Sequence, residues 1–153
     1  MSEFIGCHIM IDATSESDKL NDANKTVEFL ELLVEKINMT MILPPITVKF
    51  PHTTSEMSQV LRHLIEEGLG DCDTAEKIET DLHRKRKKMY GYSSFVMIAE
   101  SHIALHTFPA FGYLSFDCYS CRKFDQGIII DSLADFFDTD RMIVQMNDRR
   151  IPK

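Results

Sequence analysis

Glu100, Ser101 and His102 form a short polar cluster between two apolar stretches of the chain, and His106 follows four residues after His102. The hydroxyl of a serine in such a place must be hydrogen-bonded or take part in a reaction, because burying it without a partner costs free energy. Ser101 and His106 could act as nucleophile and base, although the sequence lacks the glycine-flanked elbow of hydrolases. We interpret His102 as a half-buried, hydrogen-bonded histidine, which is the more common role for a histidine on a strand.

Cys118 and Cys121 are spaced as a Cys-x-x-Cys pair, which can chelate zinc or form a redox disulfide. A structural zinc site needs two further ligands, and Cys7 and Cys72 are isolated in the sequence. Strand alternation also places Cys118 and Cys121 on opposite faces of a sheet. We therefore predict no metal site and read the pair as two unrelated thiols.

Length and composition indicate one globular domain. The chain has 153 residues, of which 44% are hydrophobic and 27% are charged. No apolar run approaches the roughly 18 residues of a membrane span, and the first residues lack the basic region of a signal peptide. Four cysteines are too few for a disulfide scaffold. These features predict a cytoplasmic protein that does not bind a membrane.

The charge balance argues against a nucleic-acid partner. Seventeen Lys and Arg residues against 24 Asp and Glu residues leave a formal charge of −7, whereas binding to phosphates needs a surplus of cations. A small cationic or zwitterionic substrate is easier to accommodate.

Hydrophobic periodicity predicts an α+β fold, a two-layer α/β sandwich with a mostly antiparallel sheet. The predicted elements are strand 4–11, helix 24–38, strand 46–50, strands 94–99, 102–107 and 113–121, helix 126–137 and strand 141–146. Strand 94–99 is nearly all apolar, which is typical of a strand buried on both faces. A turn near Ala110 should bring Ser101 opposite the end of the next strand, near residues 119–121.

Residues 52–88 differ from their surroundings and read as a helical insert. The first predicted helix has an apolar stripe at helical spacing, and the second ends in the basic run 84–88. We interpret that run as a solvated helix end. Because the insert begins after Phe50 and returns at Gly91, we expect it near the rim of the active site.

The motifs of the central region resemble the prokaryotic S-adenosylmethionine decarboxylase proenzyme family. That family has a Gly-x-Ser-Gly block, a Glu-Ser-His triplet, a His-Thr-Trp-Pro-Glu block and a Gly-Tyr-x-x-x-Asp-x-x-x-Cys strand. Here they read as Gly91-Tyr-Ser93-Ser, Glu100-Ser101-His102, His106-Thr-Phe-Pro109-Ala110 and Gly112-Tyr113-Leu-Ser-Phe-Asp117-Cys-Tyr-Ser-Cys121. The resemblance covers nearly the whole chain outside 52–88, so we expect one domain over 1–153.

The resemblance implies a self-cleaving enzyme with a covalent cofactor. The bond between Glu100 and Ser101 would be cut, giving chains 1–100 and 101–153, and Ser101 would become a pyruvoyl group. His106 would act in processing with help from Ser93, and Cys121 would transfer a proton in catalysis. A serine hydroxyl can make the ester that this route requires, and the resulting ketone can accept electrons during decarboxylation.

The resemblance also implies a substrate and an assembly. S-adenosylmethionine would be decarboxylated for polyamine synthesis, with Phe50 and Phe108 against the adenine. Two protomers would pair through their sheets into a four-layer αββα homodimer. Ala110 stands where the family has a glutamate expected to hold the ribose hydroxyls, so substrate identity is open.

Two alternatives stay open. One is a pyruvoyl-dependent arginine or ornithine decarboxylase of the same family. The other is an unprocessed binding or regulatory homologue that uses the 52–88 insert as its interaction surface.

Overall fold

The computed structural model describes residues 4–50 and 90–150. Along the chain they form β1 Phe4–Ser15, α1 Ala23–Lys36, β2 Ile46–Phe50, β3 Gly91–Ile98, β4 Ser101–Phe108, β5 Tyr113–Ser120, α2 Gln126–Phe137 and β6 Thr139–Arg150, with short 3-10 turns at Asp18–Asn21 and Pro109–Phe111. The strands make one six-stranded sheet in the order β2-β3-β4-β5-β1-β6. Each neighbouring pair is antiparallel. The α+β prediction is therefore confirmed.

Both helices begin at an aspartate that the sequence places just before the apolar stripe. Asp22 accepts a hydrogen bond from the Asn24 N–H of α1, and Asp125 accepts one from the Gly127 N–H of α2. Such caps satisfy backbone donors that have no partner inside the helix. The predicted bounds of α2 are confirmed, and α1 ends at Lys36, two residues earlier than predicted.

The core lies between the helices and one face of the sheet. Alternate strand residues meet the buried stripe of each helix, including Ile11, Leu105 and Phe116 from the sheet and Phe29 and Leu133 from the helices. The chain therefore has the two layers that the sequence predicts, with one continuous core.

The opposite face of the sheet carries no helix in the described part of the chain, and we call it the open face. Its large apolar side chains include Phe95, Met97 and Ile143, which are 39%, 42% and 65% exposed. The prediction that strand 94–99 is buried on both faces is therefore wrong for a single protomer. Successive side chains of β3 point alternately to the core and to the open face, as in any strand. Only the core side is covered by helices, so burial alternates along the strand.

Several strand bounds differ from the predicted ones. β1 runs on to Ser15, where the polar residues 12–15 predicted a loop, because β5 and β6 pair with it on both sides up to Thr14. β6 is longer than predicted because it pairs with β1 over nearly its whole length. β5 ends at Ser120, one residue earlier than predicted. The predicted insert at 52–88 and Cys72 lie outside the described residues.

Among the described residues, no helix is long and apolar enough to cross a membrane.

Candidate active site

Ala99 and Glu100 form the two-residue turn that joins β3 to β4. Ile98 and Ser101 pair across the turn, so the peptide bond between Glu100 and Ser101 lies at the tip of the hairpin. Ser101 has a backbone φ of 151°, which an L-residue adopts only under local strain. Such a conformation costs on the order of 1–3 kcal/mol and is found mainly at functional sites. The strain is located on the serine that the sequence singled out.

The Glu100 carbonyl oxygen accepts a hydrogen bond from the backbone N–H of Cys121, at 2.9 Å. The register of β4 and β5, in which Ser101 pairs with Ser120, places this donor next to the turn and confirms the predicted hairpin geometry. A nucleophile that attacks the Glu100 carbonyl carbon would put negative charge on this oxygen. The Cys121 N–H is therefore placed as an oxyanion donor.

The Glu100 side chain is also held on both of its oxygens. The Thr40 N–H donates to Oε2 at 3.2 Å, and the Arg122 guanidinium lies 3.4 Å from Oε1. Arg122 donates a further hydrogen bond to the Asn38 carbonyl oxygen. The Glu100 side chain is only 13% exposed. Glu100 is thus held by segment 38–40 and by residues 121–122, which directly follow β5.

The Ser101 hydroxyl lies 3.3 Å from Nδ1 of His102. The His102 ring stacks on Phe95, with centroids 5.7 Å apart and planes at 25°, and it is tilted against Tyr119 at 6.0 Å. His102 is half-buried, as the sequence predicted. Its neighbour, however, is Ser101, the serine that the sequence singled out.

His106 and Ser93 form a second polar pair on the open face. The Ser93 hydroxyl lies 2.9 Å from Nδ1 of His106, because these residues are directly opposite in the register of β3 and β4. His106 is five residues from Ser101 on the same strand, which is about 16 Å at roughly 3.3 Å per residue. The structure therefore joins His106 to Ser93 but does not bring it to Ser101 of the same chain.

Phe50 and Phe108 lie at the same end of the sheet as His106. Their ring centroids are 5.4 Å apart at 69°, and Phe108 also contacts Tyr113 at 5.3 Å. Gly91 lies opposite Phe50, and a Cβ there would lie 1.8 Å from the Thr107 carbonyl oxygen, so only glycine fits. The aromatic pair expected to bind the substrate therefore forms one surface with the histidine and serine pair.

The Cys-x-x-Cys residues occupy different environments. Cys118 is fully buried on the helix side of β5, and burial raises the pKa of its thiol to about 12. Cys121 is exposed and lies one residue beyond the end of β5, not on the strand as predicted. Cys7 is a buried free thiol, and burial raises its pKa as well. In residues 4–50 and 90–150, no three potential ligands are grouped to hold a metal ion.

Sequence reasoning missed the groups that hold Glu100. The Cys121 and Thr40 donors are backbone N–H groups, which no side-chain pattern reveals. Arg122 could be found only by noting that the hairpin register puts the residue after Cys121 beside Glu100.

Comparison with known proteins supports the resemblance. A sequence model of the family described as S-adenosylmethionine decarboxylase matches residues 54–150. The S-adenosylmethionine decarboxylase proenzyme of Geobacillus kaustophilus is 35% identical over 97 residues, which are 52% of this chain and 78% of that protein. The proenzymes of Geobacillus sp. (strain WCH70) and Bacillus velezensis are 49% and 42% identical, over 29% and 33% of this chain. Those two alignments span only 36% and 40% of the relatives' own length.

The fold has a counterpart among solved structures. The crystal structure of the adenosylmethionine decarboxylase from Aquifex aeolicus matches with a TM-score of 0.63 at 20% identity, covering 99% of this chain and 96% of that one. At 20% identity, this similarity shows a shared fold. Because the family model matches more than half of the sequence, the chain belongs to the S-adenosylmethionine decarboxylase family.

Proposed function

We propose that this chain is the proenzyme of a pyruvoyl-dependent decarboxylase and that its substrate is S-adenosylmethionine. Family membership supports the reaction class, and the relatives cited above carry the word proenzyme in their names. The observation that carries the proposal is the hairpin tip. There, a strained serine follows a carbonyl whose oxygen already faces an N–H donor.

The geometry of the hairpin tip supports the following route of self-cleavage. The Ser101 Oγ attacks the Glu100 carbonyl carbon, and the charge that forms on the oxygen is stabilised by the Cys121 N–H. The C–N bond then breaks, which leaves an ester and a free Ser101 amine. Removal of the Ser101 α-proton expels the main-chain carboxylate of Glu100, which becomes the C-terminus of chain 1–100. The unsaturated residue that remains hydrolyses to a ketone and ammonia. The single domain 1–153 becomes chains 1–100 and 101–153.

The pyruvoyl group supplies a carbonyl that binds the substrate amine and accepts electrons as carbon dioxide leaves. The Cys121 thiol is the proposed acid that returns a proton to the substrate carbon. It is exposed, and its own N–H donates to the carbonyl oxygen of Glu100, the residue that precedes Ser101. Cys118 cannot take this role, because it is buried on the other side of the sheet.

A second protomer is part of the proposal, because His106 lies about 16 Å from Ser101 along β4. Ser93 is paired with His106 across β3 and β4. The open face is apolar where it carries Phe95 and Met97, which favours burial against another surface. Two copies that pair face to face about a two-fold axis form an isologous interface. In the four-layer homodimer, Ser93 and His106 of one protomer would complete the site around Ser101 of the other.

The substrate is proposed from the aromatic surface and from the charge. Phe50 and Phe108 can stack on a purine, and a protein of formal charge −7 suits a cationic sulfonium substrate. Ala110 in the Pro109–Phe111 turn has no carboxylate for ribose hydroxyls. This favours arginine or ornithine as the alternative substrate of the same reaction. The described cysteines are free thiols, which suits the expected cytoplasmic location.

A decarboxylation assay decides between these substrates. The purified wild-type chain is offered S-adenosylmethionine, arginine and ornithine separately, and released carbon dioxide is measured. Turnover of S-adenosylmethionine alone is expected, and Ser101→Ala should abolish it. Turnover of arginine or ornithine instead would replace the substrate but keep the reaction. A chain that leaves all three unchanged would support the binding or regulatory homologue.

A further inference from the structure

We propose that His102 is the base that takes the proton from the Ser101 hydroxyl in the first step of self-cleavage. The inference rests on the proposed function and assigns one further catalytic residue to it. Its starting point is the 3.3 Å contact between Ser101 Oγ and His102 Nδ1. That contact involves the atom that must lose its proton to attack the Glu100 carbonyl.

The backbone of Ser101 accounts for the contact between neighbours in sequence. Successive side chains of a strand point to opposite faces, so residues 101 and 102 would not normally meet. Ser101 begins β4 with a φ of 151°, outside the range of a regular strand, which lets its hydroxyl lie beside the ring of His102. The strain at the hairpin tip therefore has a function, because it pairs the nucleophile with an acceptor.

The His102 ring is held in place from both sides. Phe95 of β3 stacks on it nearly parallel, and Tyr119 of β5 lies against it at 6.0 Å. Because β3 and β5 are the immediate neighbours of β4, these contacts fix the plane of the imidazole. A base with a fixed orientation loses little entropy when it accepts the proton. A contact of 3.3 Å is also within the range seen before a catalytic hydrogen bond tightens.

Within residues 4–50 and 90–150 of the same chain, the other acceptors near the bond are occupied or distant. The side-chain carboxylate of Glu100 is bound by the Thr40 N–H and by Arg122. His106 of the same chain is bonded to Ser93 and lies about 16 Å along the strand from Ser101. The partner's His106, which the proposed dimer brings to Ser101, is assigned to the step after the acyl shift. His102 is the group that the structure places against the hydroxyl.

The step balances without an oxidant or a co-reactant. The Ser101 Oγ–H proton passes to His102 Nδ1 as the Oγ–C bond forms, and the Glu100 oxygen takes the negative charge beside the Cys121 N–H. The carbonyl is restored as the C–N bond breaks. The proton held by His102 is then delivered to the departing Ser101 nitrogen. The result is an ester isomer of the original peptide.

The test compares cleavage rates of His102→Ala and His102→Asn with that of the wild type, in the full chain. Loss of a general base slows a reaction by about 100-fold or more, so both variants should remain uncleaved over many wild-type half-lives. Asparagine can keep a hydrogen bond to Ser101 but cannot take its proton. If His102→Asn is cleaved at the wild-type rate, His102 only donates or accepts a hydrogen bond, and the proposal is overturned. Added imidazole should partly restore cleavage in His102→Ala.

Hydroxylamine identifies the blocked step, because it cleaves esters readily and leaves peptide bonds intact. His102→Ala should stay whole in hydroxylamine, since it stops before the ester. A variant blocked after the shift, for which we propose His106→Ala, should be split by the same treatment. Splitting of His102→Ala at the rate of His106→Ala would place His102 after the acyl shift and contradict the proposal.

His8 provides the matched control. It is a histidine on the open face, its Nε2 is 2.9 Å from Asp117, and its ring contacts Tyr119 at 6.2 Å. His8→Asn should cleave at the wild-type rate. If His102→Ala does not fold, His102→Asn tests the proposal by its cleavage rate and by its sensitivity to hydroxylamine. Failure of the wild type itself to cleave would overturn the proposed function, whereas normal cleavage in both His102 variants would overturn only this inference.

Discussion

Arg122 and Glu100 form an ion pair beside the proposed cleavage bond, and removing it should slow self-cleavage without abolishing it. The guanidinium and carboxylate are 3.4 Å apart, which corresponds to about 5 kcal/mol for unit charges at an effective dielectric constant near 20. Arg122 is 48% exposed, however, so solvent screens the pair. A partly exposed pair contributes about 1 kcal/mol, which is roughly a fivefold change in rate if the pair acts fully in the transition state.

The assay follows chain cleavage of Arg122→Gln by intact mass at fixed times after synthesis. Arg122 also donates to the Asn38 carbonyl, so the single variant does not isolate the ion pair. A double-mutant cycle with Glu100→Gln does, because the coupling between the two substitutions reports their interaction alone. If Arg122 acts through the Glu100 carboxylate, the double variant should cleave no more slowly than the slower single variant.

The control uses a surface ion pair of similar chemistry. Lys25 and Glu28 lie 2.6 Å apart on α1, and both are more than 40% exposed. Lys25→Gln should leave cleavage unchanged. Fully additive effects of Arg122→Gln and Glu100→Gln would contradict a role for the ion pair, because the two side chains would then act on cleavage independently.

Three further predictions concern the thiols and the dimer. In the folded protein at pH 8, peptide mapping should find Cys121 alkylated and Cys7 and Cys118 protected, and alkylation of Cys118 as fast as that of Cys121 would contradict its buried position. Burial raises the pKa of Cys118 from 9.0 to about 12, so its contribution to the free energy of unfolding, measured by denaturant titration, should decline as pH rises through that window. Mixed dimers of Ser101→Ala and His106→Ala protomers should recover cleavage that neither variant shows alone, and no recovery in verified mixed dimers would contradict a shared site.

Much of the fold follows from local sequence signals. The sequence predicts a helix over 126–137, and the structure has a helix with the same bounds, Gln126–Phe137. The pairing of Ser101 with Ser120 also follows from the hairpin turn near Ala110. Local patterns predict these features because each depends on neighbours within one element or across one tight turn.

The candidate site could not be predicted in full, because it depends on contacts between residues that are far apart in the sequence. Thr40 lies 60 positions from Glu100 and contributes a backbone group, so nothing in its side chain marks it. The role of His102 depends on the φ of Ser101, which the sequence does not specify. The separation of His106 from Ser101, in contrast, could have been found by counting residues along a predicted strand.

The mass of the purified wild-type chain tests self-cleavage most directly. The account predicts two chains, cut between residues 100 and 101, and a fragment 101–153 whose N-terminus is a ketone in place of an amine. Borohydride should add two hydrogen atoms to that fragment, and Ser101→Ala should give one uncut chain. A wild-type protein that stays at the full mass of 153 residues, or that is cut elsewhere, would contradict the account.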